Sequence, residues 1–206
     1  MRPDKQAARR REIEDAAYEV LAEKGYRGAS MLAIARQAGA SNETLYRWYG
    51  TKQGLFRALV EENARRVGAR LQNALDTGAD PLDTLAGLGA ELLALLLGDR
   101  AVALNRAAAA DADDTGSLGQ ALREAGRDSV MPLIAAVFDQ ASRSGRLALE
   151  NPSEAAEVYL GLLVGDLQIR RVTGALTSLG PEEAVRRADR AVRMIRHLYA
   201  ADGSKS

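Results

Sequence analysis

GYRGASMLAIARQAGASNETLYRWYGTKQGLFRALVEE, residues 25–62, holds three points at which a hydroxylated residue stands directly before a short run with helical periodicity. Ser30 precedes Met31, Ile34, Ala35 and Ala38, a pattern that predicts a helix of about two turns ended by Gly39. Ser41 precedes a third short helix, Asn42 to about Tyr49, in which Leu45 and Tyr49 are expected to point inward at i, i+4. Gly50 and Thr51 break and restart the chain, and a long fourth helix is expected from Lys52 through Leu55, Phe56, Leu59 and Val60 towards Leu71 and beyond. Upstream, Ile13, Ala16, Ala17, Val20 and Leu21 share one helical face, with Gly25 as the stop signal. Two short helices joined by Ala38-Gly39-Ala40-Ser41, the second polar and aromatic on its outward side, read as a helix-turn-helix.

The chemistry of that stretch suits duplex DNA. Helix N-termini bind phosphate through free amide groups and the helix dipole, and three capped starts (Ser30, Ser41, Thr51) fall close together. Arg47, Lys52 and the run Arg9-Arg10-Arg11 supply mobile positive charge for the backbone. Asn42, Glu43 and Tyr46 lie on the exposed side of the third helix near its N-terminus, the end that enters a major groove and reads base edges. Tyr46 and Trp48 stand at i, i+2 on a helix whose core side is already served by Leu45 and Tyr49, so one or both are expected to face outward, and exposed aromatics usually have a partner. The competing reading is a plain helical hairpin with stabilising caps and a solvated arginine arm.

Working outward, the 206 residues carry 28 Lys plus Arg against 28 Asp plus Glu, with 47% hydrophobic content, enough for a buried core. That neutrality is the sum of unlike parts. Residues 1–60 hold 11 basic against 7 acidic side chains, leaving 17 against 21, and six of the nine aromatic residues also fall there. Two modules are therefore expected: a helix-turn-helix module over 1–60 with a basic arm at 1–12, and a helical module over 61–200, followed by a disordered tail at 201–206. The absence of Cys excludes disulfides and thiolate chemistry, and the single His, His197, leaves no His-rich metal site. No run approaches the length of a membrane span, and MRPDKQAARRREIED lacks the pattern of a secretory signal, so the expected address is the cytoplasm.

The second module reads as helices at about 82–97, 100–110, 117–144, 152–174 and 181–200, separated by Gly98-Asp99, Asp111 to Gly116, Gly145 with Asn151-Pro152, and Gly180-Pro181. No useful stretch alternates with period two, so the fold class is all-α without a sheet. Asp111, Asp113 and Asp114 raise a metal reading but lack a loop pattern and a companion His; they are read as a solvated loop, and neither metal nor cofactor is expected. His197 is read as a surface or seam residue.

The residues from Ile13 to about Glu62 closely resemble the DNA-binding domain of tetracycline-repressor (TetR) family transcriptional regulators. The likeness rests on the Gly25-Tyr26 turn, the Ile34-Ala35 pair, Gly39, the Ser41 cap, Thr44-Leu45-Tyr46, Tyr49, and Lys52 followed by Leu55-Phe56. It implies a homodimer that binds a palindromic operator and a larger C-terminal domain whose small effector releases the DNA. It places backbone phosphates at Ser30, Ser41, Thr44, Tyr46, Trp48 and Lys52, and bases at Asn42, Glu43 and Tyr46, with Leu32 as a further contributor that would meet a thymine methyl. Glu43 departs from the family pattern, which often has a small residue there; its carboxylate either reads a cytosine amine or turns away to pair with Arg47 at i, i+4.

Beyond about residue 75 the resemblance weakens, but LNRAAAADA and RLALENPSEAAEVYLGLLVGDLQIRRVTGAL look like one C-terminal subgroup of that family. It implies that the last two long helices form a four-helix bundle with a second subunit. Leu160, Val164 and Leu167, with Gly161 and Gly165 thinning one side, and Val185, Ala188, Val192, Ile195 and Tyr199 at heptad-like spacing, are the expected seam. Leu93, Leu97, Leu104, Leu118 and Leu122 are pocket candidates by position, as are Met131, Phe138, Tyr159 and Leu162; taken one by one, plain core packing is the better account of each. Few aromatics argue for an aliphatic or small aromatic effector. Asp166 and Arg170 are either a buried pair at the seam or a polar handle in the pocket. A small helical enzyme finds no Gly-rich phosphate loop, paired catalytic carboxylates or HExxH motif. A scaffold without DNA would leave the capped starts and Tyr46 without a role.

Overall fold

The computed structural model describes residues 3–200, and among them there is no strand. The helices are α1 (Pro3–Gly28), α2 (Met31–Gln37), α3 (Asn42–Tyr49), α4 (Lys52–Thr77), α5 (Pro81–Leu96), α6 (Asp99–Asp111) and α7 (Ser117–Ala121). A π-helical segment, Leu122–Arg127, leads into α8 (Asp128–Arg143), followed by α9 (Pro152–Val164), α10 (Leu167–Thr173) and α11 (Pro181–Leu198). The fold class is all-α, as the periodicity predicts. Among the described residues no helix is long and apolar enough to cross a membrane, and no group of three acidic or imidazole side chains is placed to hold a metal ion.

Three features differ from the sequence reading. Helix α1 begins at Pro3, so from there on the expected basic arm is the first part of a helix. Pro is tolerated in a first turn, and Gln6, Ala7, Ala8 and the arginines that follow are good helix formers. The segment expected at 152–174 is two helices, because Gly165 adopts φ 51°, ψ −129°, a conformation that ends α9. Arg187 of α11 closes that end by donating to the carbonyls of Leu163 and Val164. The segment expected at 117–144 is interrupted by the π-helical turn. The tail at 201–206 lies outside the described residues.

The chain forms two compact units. One comprises the residues up to Glu62 together with Ala103–Ala125; the other comprises Asn63–Val102 and the residues from Gly126 onward. The sequence reading sets a single boundary at residue 60, whereas the first unit runs to Glu62 and also takes a later segment. Leu104, Ala107, Ala108, Leu118 and Ala125 are buried in the same cluster as Ile13, Ile34, Leu45, Leu55 and Phe56. Chain order suggested the other unit; burial of apolar area chose this one.

In the second unit, α11 packs chiefly on α5 and also on α9, which packs on α8. Asp80 caps α5 by accepting from the amides of Leu82 and Asp83, and Asn151 caps α9 by accepting from Ser153 and Glu154. Pro81, Pro152 and Pro181 each open their helix where no amide hydrogen is needed. The close approach of α5 to its neighbours requires Gly89, where an added Cβ would lie 2.6 Å from the Tyr159 hydroxyl and 2.8 Å from Ala188 Cβ.

Candidate nucleic-acid interface

The first unit presents the helix-turn-helix in the form the caps predict. Ser30 Oγ accepts from Ala33 N at 3.1 Å and Ser41 Oγ accepts from Thr44 N at 3.1 Å, while Thr51 Oγ1 accepts from Gly54 N at 3.0 Å. The Ser41 and Thr44 hydroxyls also share a hydrogen bond. The turn depends on Gly39, whose φ of 57° a side chain would strain. From α1, the Arg9 guanidinium donates to Gly39 O at 2.5 Å and pairs with Glu12, which fixes the turn from outside the motif. Gln37 at the end of α2 donates to Glu19 of α1 at 2.6 Å.

Beneath the motif, Met31, Ile34, Ala35 and Leu45 are buried against α1 and α4 residues. What this core leaves outside is the candidate contact face. Asn42, Glu43, Tyr46 and Arg47 of α3 are exposed. Leu32 of α2 and Tyr46 are the two exposed large apolar side chains among the described residues of this unit, at 46% and 51%. Of the aromatic pair expected to face outward, Tyr46 does so and Trp48 is half-buried against the core. Thr44 is half-buried as well. Tyr49 points inward as expected, though only half-buried; its hydroxyl is enclosed with no hydrogen-bond partner among the described residues. Burial, reinforced by Glu14 and opposed by Arg10, pushes its pKa up to about 12.

Lys52, expected to reach phosphate, is held beside Tyr26. Its ammonium donates to Tyr26 O at 2.5 Å and lies 3.8 Å from the centre of the Tyr26 ring, itself packed edge-on against Phe56. Burial lowers the Lys52 pKa, and Asp111 acts in the opposite sense. Asp111 corrects the solvated-loop reading: it is buried, and its carboxylate accepts from Thr115 Oγ1, from Ser117 Oγ at 3.3 Å and from Leu118 N at 3.2 Å. It therefore ties α6 to the start of α7. Asp114 is exposed and pairs with Arg27 at 3.3 Å. Arg57 of α4 joins Glu61 at 3.1 Å and Glu124 of the π-helical turn at 3.2 Å.

Among the pocket candidates, Leu104 and Leu118 are core residues of the first unit and Leu122 packs against that core. Phe138 and Tyr159 fill the second core as an edge-on ring pair, and the Tyr159 hydroxyl donates to Leu85 O at 2.6 Å. Met131 and Leu162 are half-buried at the margin of that core. Leu93 and Leu97 do line a cavity, of about 430 Å³, between the end of α5 and the α10–α11 connection. Its wall is apolar through Ala94, Leu179 and Ala184, with Glu91, Asp99, Arg171 and Ser178 as polar members. Arg171 was not singled out in the sequence: buried, it donates to Leu97 O at 2.8 Å and Leu176 O at 3.3 Å and pairs with Asp99 at 2.7 Å. One of several arginines on an amphipathic segment carries no sequence mark of such a role.

The expected seam divides in the same way. Leu167, Ala188, Val192 and Ile195 are buried within the single chain, because a heptad-like row serves a monomer core as well as a dimer. Leu160, Val164 and Tyr199 are half-buried and Val185 is exposed. An added Cβ at Gly161 would meet nothing within 4 Å. Met194 and Leu198, exposed on α11, follow Arg187 at i+7 and i+11 and so share the side of α11 that reaches α9. Asp166 and Arg170 form a pair at 3.9 Å that is exposed on the single chain. His197 is exposed.

The geometry agrees with what comparison finds. The family model of bacterial regulatory proteins of the tetR family matches residues 13–59, and that of the AefR-like transcriptional repressor C-terminal domain matches residues 83–201. The fatty acid metabolism regulator protein of Bacillus subtilis is 31% identical over 93 residues, so that the match spans 45% of this chain and 48% of that relative. A TetR-family regulator structure from Mesorhizobium loti superposes with a TM-score of 0.78 at 28% identity, covering 94% of this chain and 97% of that one. The B. subtilis regulator FadR, solved in complex with stearoyl-CoA, shares the fold with a TM-score of 0.66 at 20% identity, covering 89% of this chain and 96% of that one.

Proposed function

The chain belongs to the TetR family, whose members are transcriptional regulators and not enzymes, and on that premise we propose that it is a repressor that binds a palindromic operator as a homodimer and is released by a small apolar effector. The observation that carries the DNA-binding half is the frame of three side-chain-capped helix starts around the exposed Asn42, Glu43, Tyr46 and Arg47. Ser30, Ser41, Thr44, Trp48 and Lys52 then serve the phosphates, and the α3 face with Leu32 serves the bases. A gel shift against duplex DNA over a range of salt tests it: binding should weaken steeply as salt rises.

Lys52→Ala should weaken binding equally on all sequences and reduce the salt slope by about one unit per contact removed, since a phosphate contact is sequence-blind. Tyr26 O occupies one of the three ammonium donors, which leaves two for a phosphate. A changed sequence preference in Lys52→Ala, read by selection, would contradict this division of roles.

The dimer seam in this reading is the outer side of α9 and α11: Leu160, Gly161 and Val164 with Met194 and Leu198. For the effector, the 430 Å³ cavity is of ligand size. Its largely apolar wall, with the Arg171–Asp99 pair, Glu91 and Ser178 as its polar members, suits the chain of a fatty-acyl molecule, the class named for the B. subtilis relative and bound by FadR. Operator and effector should weaken each other's binding by one common factor, of order ~5- to 150-fold. The chain passes between its units within α4, within α6 and within the π-helical turn, and α4 is the expected lever. Ala94→Trp, at an exposed wall position, should abolish release by a medium-chain acyl-CoA or its free acid and leave operator affinity unchanged. Titration of operator complexes checks this; a variant released like the wild type would place the effector elsewhere.

A further inference from the structure

The carboxylate of Glu43 is the anomaly of the contact face. An acid at the start of a helix that approaches DNA meets phosphate repulsion, yet its one ion-pair partner among the described residues is Arg47, one turn along the same helix at 4.0 Å. Both side chains are open, 86% and 62% exposed, so the contact is solvated and weak and either group can reorient at little cost. The pair is also near neutral as a unit, which removes the objection to bringing Glu43 close to DNA.

We propose that Glu43 and Arg47 together read one G·C base pair in each half-site, Glu43 accepting from cytosine N4 and Arg47 donating to guanine O6 and N7. This deepens the assignment of α3 as the reading helix and rests on it. The reason lies in the order of groups along the major-groove edge. A G·C pair presents two adjacent acceptors, guanine N7 and O6, and then one donor, cytosine N4. A guanidinium fork beside a carboxylate is the complement of that order. An A·T pair places its single donor, adenine N6, between two acceptors, N7 and O4. A carboxylate over that donor would face acceptors on both sides. Position supports the same assignment: Glu43 is the second residue of α3, Arg47 follows at i+4 on the same side, and the cap formed by Ser41 holds that end of the helix.

The test is selection from a random duplex pool by the full chain and by Glu43→Gln, Glu43→Ala and Arg47→Ala, followed by affinity measurement on the enriched duplexes. The wild type should enrich a motif with one fixed G·C pair per half-site, and replacing that pair by A·T should weaken binding about 5- to 150-fold. Glu43→Gln should weaken the preference for that pair less than Glu43→Ala does, because the amide oxygen still accepts from cytosine N4 while its NH2 competes for the acceptors that Arg47 uses. Glu43→Ala and Arg47→Ala should each relax it. Melting curves equal to wild type show that the exposed substitutions leave the fold intact. If Glu43→Gln and Glu43→Ala keep the whole wild-type motif and only bind every duplex more tightly, the carboxylate merely repels phosphate and the inference fails while DNA binding stands. If the wild type enriches no duplex, the DNA-binding reading falls and this one with it.

Discussion

Leu160→Arg is expected to leave the subunit folded, convert the dimer to a monomer and reduce operator affinity by about 10²- to 10⁴-fold. Leu160 is half-buried on α9 beside Gly161, where added atoms would meet nothing, and α9 packs on α11, which exposes Met194 and Leu198. A two-fold seam brings one surface against its own copy, so a new arginine meets its equivalent across the axis, and like charges in an apolar contact are costly. The loss of affinity follows from tethering. In a dimer the second recognition helix binds its half-site intramolecularly, a gain of the order of that factor, and a monomer forfeits it. Sedimentation equilibrium and a gel shift read the two effects. A Leu160→Arg chain that stays dimeric and retains full affinity would place the seam on another face.

Asp111→Asn is expected to destabilise the first unit by about 2 kcal/mol at neutral pH. The buried carboxylate serves as the common acceptor for Thr115, Ser117 and Leu118 N, and hydrogen bonds to a charged group contribute roughly 1.5–3 kcal/mol each, part of which an Asn oxygen retains. An Asn has one acceptor oxygen and presents an NH2 group to these donors. The pH dependence has a definite sign. Burial favours the protonated acid, but the hydrogen bonds from Thr115, Leu118 and Ser117 outweigh it and hold the carboxyl below the ordinary carboxylate range. A folded pKa below the unfolded value gives stability that is fully present above the unfolded pKa, about 3.9, and is lost as pH falls through the folded value. The gap between wild type and Asp111→Asn in thermal unfolding should therefore narrow in acid. A gap that stays constant from pH 7 to pH 3 would remove the ionised carboxylate from the account.

The parts legible in the sequence were those whose signals are local. Ser30, Ser41 and Thr51 each cap the helix start they mark, and Gly39, Gly50 and Gly145 break the chain where expected. Leu45 faces inward and Tyr46 outward because a helix of eight residues has one core side. What escaped was the choice of partner for an apolar face. Leu104 and Leu118 have the same pattern whether they line a pocket, fill the second unit or, as they do, fill the first. Ala188, Val192 and Ile195 repeat as a dimer seam would and pack on α5 and α9 instead. Asp111 read as a loop acid because its three donors lie downstream in no motif of their own, and Arg171 resembled its neighbours until Leu97 O and Asp99 were placed beside it. Gly165 looked like a small residue for close approach; its backbone conformation, invisible in composition, makes it a helix end.

The central claim is that two copies of this chain read one stretch of duplex DNA. Sedimentation of the full chain with duplexes enriched from a random pool measures this directly. The account predicts a complex of two chains per duplex on an inverted repeat whose half-sites lie about one helical turn apart, roughly 34–36 Å, with affinity falling steeply as salt rises. Enrichment of no duplex, or a single chain bound to an asymmetric site, would contradict it.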